Sequence, residues 1–131
     1  MMITTTVKQL NKKEEEIADA LISLGISRPV AMALCYLQGV TEATTIELER
    51  RAGLRQPEVS IAMRELKELD WINEREEKKP GKGRPYKIYS LKIGFSEIVA
   101  QLEEQQKKVV DEALLKIERL KELGNIAPIS S

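Results

Sequence analysis

From residue 13 onward, apolar positions recur every three or four residues for much of the chain. Ile17, Ala20, Leu21 and Leu24 share a face, which predicts a helix over about Lys13–Leu24, with Gly25 as its stop. Val30 to Leu37 is apolar nearly all round, so this second helix belongs inside a core; Ser27 is placed to cap it and Pro29 falls in its first turn. Gly39 closes it, and Thr41–Thr44 reads as a polar linker. Ile46 to Ala52 then forms a short helix with Ile46, Leu48 and Ala52 as its expected buried side. Thr44 or Thr45 is its cap, and Thr44 with Glu47 has capping-box spacing. Gly53-Leu54 makes a corner, because glycine tolerates the positive φ of a tight helix–helix turn. Beyond it, Val59, Ala62, Leu66 and Leu69 mark one face of a helix over residues 55–69, with Pro57 in its first turn.

The period then changes. Asp70 to Glu77 reads as extended, residues 78–85 as a loop rich in glycine, proline and lysine, and Tyr86 to Leu91 as a strand. Two strands around a basic loop form a β-hairpin. Helical spacing resumes at Phe95 and runs to about Leu123, where Gly124-Asn125 stops it and Pro128 follows. Its stripe is Phe95, Ile98, Leu102, Val109, Ala113, Ile117 and Leu120, interrupted by Gln105 or Gln106. Such a helix is roughly 40–45 Å long, more than a small domain can cover. Residues 1–12 are a polar lead, and the tail from Ile126 is expected to be loose. The fold class is therefore mainly α with a small β-hairpin. Residues 13–93 form a winged helix-turn-helix domain and residues 94–124 a long C-terminal dimerisation helix.

Composition narrows the function. The 131 residues are 42% hydrophobic and 32% charged, as in a folded domain. Lys plus Arg and Asp plus Glu number 21 each, but Arg50–Lys92 holds twelve basic and seven acidic residues, leaving acidic flanks. A local basic patch, not the global balance, is what attracts a polyanion. The chain has no histidine and one cysteine. That excludes a His- or Cys-rich zinc site, a Ser-His-Asp triad, a Cys-His pair and an internal disulfide. Cys35 lies in the apolar second helix and reads as a small buried hydrophobe. The Gly-rich basic loop lacks P-loop spacing, and no metal, cofactor or catalytic activity is implied. With no membrane-length apolar run and no signal-peptide pattern, the expected location is the cytoplasm.

The candidate chemistry is recognition of nucleic acid. The N-terminal half of helix 55–69 carries Gln56, suited to adenine; Glu58, suited to cytosine or to orienting an arginine; Ser60; Ile61; and Arg64, suited to guanine or phosphate. Thr45 and Arg55 lie at helix starts, where phosphates are commonly held. Glu65 and Glu68 are expected to be solvated. In the wing, Lys82 and Arg84 flank Gly83, and Lys87 follows; the bland alternative is a solvated turn. Ile98, Leu102, Val109, Ala113, Ile117 and Leu120 are the expected dimer interface, joined by helix 13–24, with a helix docked in a monomer as the alternative. Trp71, Tyr86 and Tyr89 are expected to pack rather than stack on bases.

With those residues in place, the chain resembles the archaeal winged-helix transcriptional regulators of the TrmB-like and MarR-like group. Leu24-Gly25-Ile26-Ser27 with the apolar helix after it, residues 45–60 and Gly83-Arg84-Pro85-Tyr86-Lys87-Ile88-Tyr89 carry the likeness, over about residues 20–92. The resemblance implies sequence-specific binding to double-stranded DNA as a homodimer and control of nearby promoters. It places Gln56, Glu58, Ser60, Ile61 and Arg64 in the major groove, and Lys82 and Arg84 at the wing contact. TrmB proper carries a large C-terminal sugar-binding domain where this chain has a helix, so sugar sensing is not carried over, and no residue demands a small-molecule effector. The rival reading is a winged-helix protein–protein interaction module of a transcription or chromosome-segregation complex. Ile61 and Met63 lean that way; Gln56, Arg64 and the basic wing do not.

Overall fold

A computed structural model describes residues 10–78 and 83–126. Among these residues the order is α1 (Lys12–Ser23), α2 (Arg28–Leu37), β1 (Ala43–Thr44), α3 (Thr45–Arg51), α4 (Gln56–Glu68), β2 (Ile72–Glu77), β3 (Tyr86–Leu91) and α5 (Phe95–Leu123). The fold is mainly helical with a small three-stranded antiparallel sheet. The chain divides into two compact units, one ending at Phe95 and the other starting at Ser96.

In the first unit, α2 lies between α1 and α4. Val30, Ala31, Ala33, Leu34, Cys35 and Leu37 of α2 are buried, as a helix apolar on all sides requires. Ser27 stands at its N-cap, but the hydroxyl makes no capping hydrogen bond. α1 starts with a reciprocal cap: the Asn11 carboxamide accepts the Glu14 N–H at 2.8 Å, and the Glu14 carboxylate accepts the Asn11 N–H at 3.0 Å. Gly25 ends it at φ 98°. The buried row of α1 is Ala18 and Leu21, not the expected stripe, since Ala20 is exposed and Leu24 has moved onto the C-cap at 44% exposure.

Three further side chains depart from expectation. Ile46 was expected on the buried side of α3 but is 57% exposed. Residues 46 and 48 are about 200° apart on a helix, so they cannot share a face; Leu48 and Ala52, four residues apart, can and do. In α4 the inward row is Val59, Ala62, Met63 and Leu66. Met63 is therefore core rather than outer surface, while Leu69, at the C-cap, is 46% exposed.

The sheet has order β1-β3-β2. The expected hairpin is present, with Ile72 opposite Leu91 and Glu77 opposite Tyr86. The linker before α3 adds the short β1, with Ala43 opposite Tyr89 and Thr44 opposite Ile88. Trp71, 3% exposed, fastens the base of the hairpin: its N–H donates to the Leu66 carbonyl at 3.1 Å, and its carbonyl accepts the Lys92 N–H at 2.7 Å.

The second unit consists, among described residues, of α5 beyond Phe95 and its terminus. The Gly124 and Ile126 N–H groups donate back to Leu120 and Lys121, each at 2.9 Å, and Asn125 takes φ 55° between them. Among the described residues, no helix is long and apolar enough to cross a membrane.

Candidate nucleic-acid interface

Gly53 makes the corner between α3 and α4 at φ 71°, and the N–H of buried Leu54 reaches the Glu49 carbonyl at 3.1 Å. That corner sends Arg55 out to solvent, its side chain 85% exposed. The Arg55 N–H donates to Glu58 Oε1 at 2.9 Å, and its guanidinium Nε stands 3.8 Å from the same oxygen. Glu58 thus closes the first turn of α4 and lies beside the Arg55 guanidinium.

With Val59, Ala62, Met63 and Leu66 turned inward, Gln56, Ser60 and Arg64 form an exposed row spaced four residues apart. Ile61 is also exposed, at 44%, about a quarter-turn round from Ser60. The row runs into a groove of about 490 Å³ between α4 and the sheet. Ser60, Arg64, Lys67 and Glu68 line it from the helix, and Glu74, Lys87 and Tyr89 from the strands. Ser60, Arg64 and Lys87, singled out from sequence, therefore meet in one place.

Sequence reasoning missed the groove's other charged members. Lys67 Nζ lies 3.1 Å from Glu74 Oε1, and Lys87 Nζ lies 3.7 Å from Glu74 Oε2. The Glu74 side chain is only 20% exposed, whereas the lysines are half-exposed. One clue was available. Glu74 alternates with Ile72, which is buried, so both project from the same side of β2. Tyr89 lies opposite Glu74 in the ladder, and Thr45, the first residue of α3, lies close enough to bear on its phenol. Burial, and then the nearby Glu74 charge, push the Tyr89 phenol above its ordinary range, while Thr45 pulls the other way. Tyr89 packs, as expected; Tyr86 is half-buried.

On the other side of the sheet, Arg75 is committed to two carboxylates. It donates to Glu42 at 2.8 and 3.3 Å and to Glu77 at 3.0 and 3.3 Å. These bonds hold the Glu42 carboxyl below its usual range. Lys92 pairs with Asp70 at 2.8 Å. Five of the twelve basic residues of Arg50–Lys92, namely Arg55, Lys67, Arg75, Lys87 and Lys92, are thus paired with carboxylates. Arg64 and Arg84 enter no ion pair among the described residues. Arg84 is exposed beside Gly83, which takes φ 63°; Lys82 lies outside the described residues.

The six α5 positions expected at a dimer interface divide. Ile98 and Leu102 are buried within the chain, whereas Val109, Ala113, Ile117 and Leu120 are exposed. Val110, Leu114 and Leu123 are exposed as well and widen the same face.

Among the described residues, no group of three or more His, Cys, Asp or Glu is placed to hold a metal ion. No protein-family model matches the chain, and no curated protein matches it.

Proposed function

We propose that the first unit is a winged helix-turn-helix domain that binds double-stranded DNA, and that the protein works as a homodimeric transcriptional regulator in the cytoplasm. The reading rests above all on one observation. The exposed row Gln56, Ser60 and Arg64 on α4 opens onto a groove whose far wall, the hairpin, contributes Lys87. A helix after a glycine corner with polar side chains outward has the form of a recognition helix, and the hairpin beside it that of a wing. In this reading Gln56 and Arg64 meet base edges in the major groove. Arg55, beside Glu58, and Arg84 meet phosphates. The exposed face of α5 pairs two copies, which sets two recognition helices about 34–36 Å apart on a pseudo-palindromic site.

Selection of bound duplexes from a random pool tests this directly. Enrichment of a two-fold related motif supports the reading; recovery of unselected sequence with no shift of any duplex at low salt overturns it. Gln56→Ala should weaken binding to the selected site only, and Arg84→Ala should weaken binding to all sequences and flatten the salt dependence.

One observation favours a protein-interaction module instead. Ile46 is exposed and lines, with Thr44, Thr45, Glu47 and Tyr86, a second, mainly apolar hollow of about 520 Å³. That hollow would suit an apolar side chain of a protein partner. Failure to bind DNA, with loss of a partner on Ile46→Asp, would favour this second reading.

A further inference from the structure

The groove between α4 and the hairpin holds three cationic side chains, Arg64, Lys67 and Lys87, and two carboxylates, Glu68 and Glu74, of which Glu74 occupies two of the cations. Glu74 comes from the middle of β2 and bridges Lys67, on the helix, to Lys87, on the neighbouring strand. Its two oxygens each face one ammonium group, as two oxygens of a phosphodiester would. The lysines are half-exposed and the carboxylate is mostly covered, so the cations form the lip and the anion the floor.

We propose that this groove is a phosphodiester-binding site kept partly occupied by the protein's own Glu74, which acts as a built-in brake on nucleic-acid affinity. The proposal rests on the DNA-binding reading and adds a function for Lys67, Glu74 and Lys87. In the free protein the lysines satisfy their charge on Glu74. A phosphate that enters must compete with that carboxylate and meets its repulsion, so the two lysines are under-used in the complex. Removing the Glu74 charge leaves Lys67 and Lys87 free to neutralise phosphate. Each further phosphate neutralised steepens the dependence of log affinity on log salt by about 0.9.

The test measures binding of a labelled mixed-sequence duplex by fluorescence anisotropy at about 50–200 mM salt. The proteins are the full chain, Glu74→Gln, Lys67→Gln/Lys87→Gln, and the triple variant, each shown folded by circular dichroism. Glu74→Gln should bind about 5–20-fold more tightly at low salt, with a slope steeper by about 1–2. In the Lys67→Gln/Lys87→Gln background the same substitution should give little gain. If Glu74→Gln binds like the wild type or more weakly, Glu74 merely positions the lysines and the brake is refuted. A gain that persists without the lysines means only a long-range charge effect, and also refutes it. If neither the wild type nor Glu74→Gln binds any duplex, the DNA-binding reading fails as well. Binding by the wild type without the predicted gain sinks the brake alone.

Discussion

Thr44 and Glu47 close each other's open backbone donors. The Glu47 N–H donates to the Thr44 hydroxyl at 3.2 Å, and the Thr44 N–H donates to the Glu47 carboxylate at 2.9 Å. The pair starts α3 at the point where β1 ends, so one local motif joins the sheet to the helix before the Gly53 corner. A seven-residue helix has too few internal hydrogen bonds to stand alone and depends on its cap and its packing. Thr44→Ala should cost about 1 kcal/mol, read as a shift in the urea midpoint with unchanged slope. Thr44→Ser should recover most of it; an unchanged midpoint in Thr44→Ala would show the cap to be dispensable.

Gly53 gives a cleaner backbone test. A Cβ built at this position meets nothing within 4 Å, so any cost of Gly53→Ala comes from φ 71° alone and not from a clash. About 1–2 kcal/mol is expected, with Gly53→Asn milder because asparagine visits the left-handed region more readily. Equal stability of all three in urea would show that the corner is not held at positive φ in solution.

Cys35 is fully buried in α2, and burial, followed by the Glu14 charge, pushes its thiol from an ordinary 9.0 up to about 12. The folded protein should therefore resist a disulfide thiol reagent at pH 8 and react in denaturant. The linkage has a definite sign. The folded thiol holds its proton where the unfolded thiol loses it. This contribution to stability is complete below about pH 9 and declines as pH rises toward 12. Cys35→Ala should flatten that part of a melting-temperature profile; rapid labelling of the native protein would contradict the burial.

Long elements with a strong period were legible before any coordinates. α5 runs over Phe95–Leu123, the residues at which its pattern starts and stops, and the Thr44–Glu47 cap lies where the spacing placed it. Ile46 and Leu24 fell to helix geometry within one element; the other failures depended on a neighbour remote in sequence. β1 is two residues long, too short to show alternation, and exists because β3 offers it an edge. Met63 and Leu69 are both apolar, and only the turn of α4 against the rest of the unit decides which is buried. The groove joins Lys67 to Glu74 and Lys87 through the register of two strands. Composition reports only that the region is basic overall.

The exposed face of α5 makes the last prediction. On a helix turning about 100° per residue, Val109, Val110, Ala113, Leu114, Ile117, Leu120 and Leu123 fall within about half the circumference, whereas Leu115 lies on the opposite side. All are exposed in the single chain, with Ile117 at 48%, Leu120 at 65% and Leu115 at 69%. Scattered exposed leucines need no explanation, but seven apolar residues on one half of a helix over four turns, with Lys116 and Lys121 among them, do. If two copies pair along it, Ile117→Asp places a charge in the seam and should reduce the mass seen by light scattering from that of two chains to that of one. Leu115→Asp, with a similar gain in charge on the same helix, should leave the mass unchanged. A monomeric wild type, or two variants that behave alike, would show that the stripe does not join two copies.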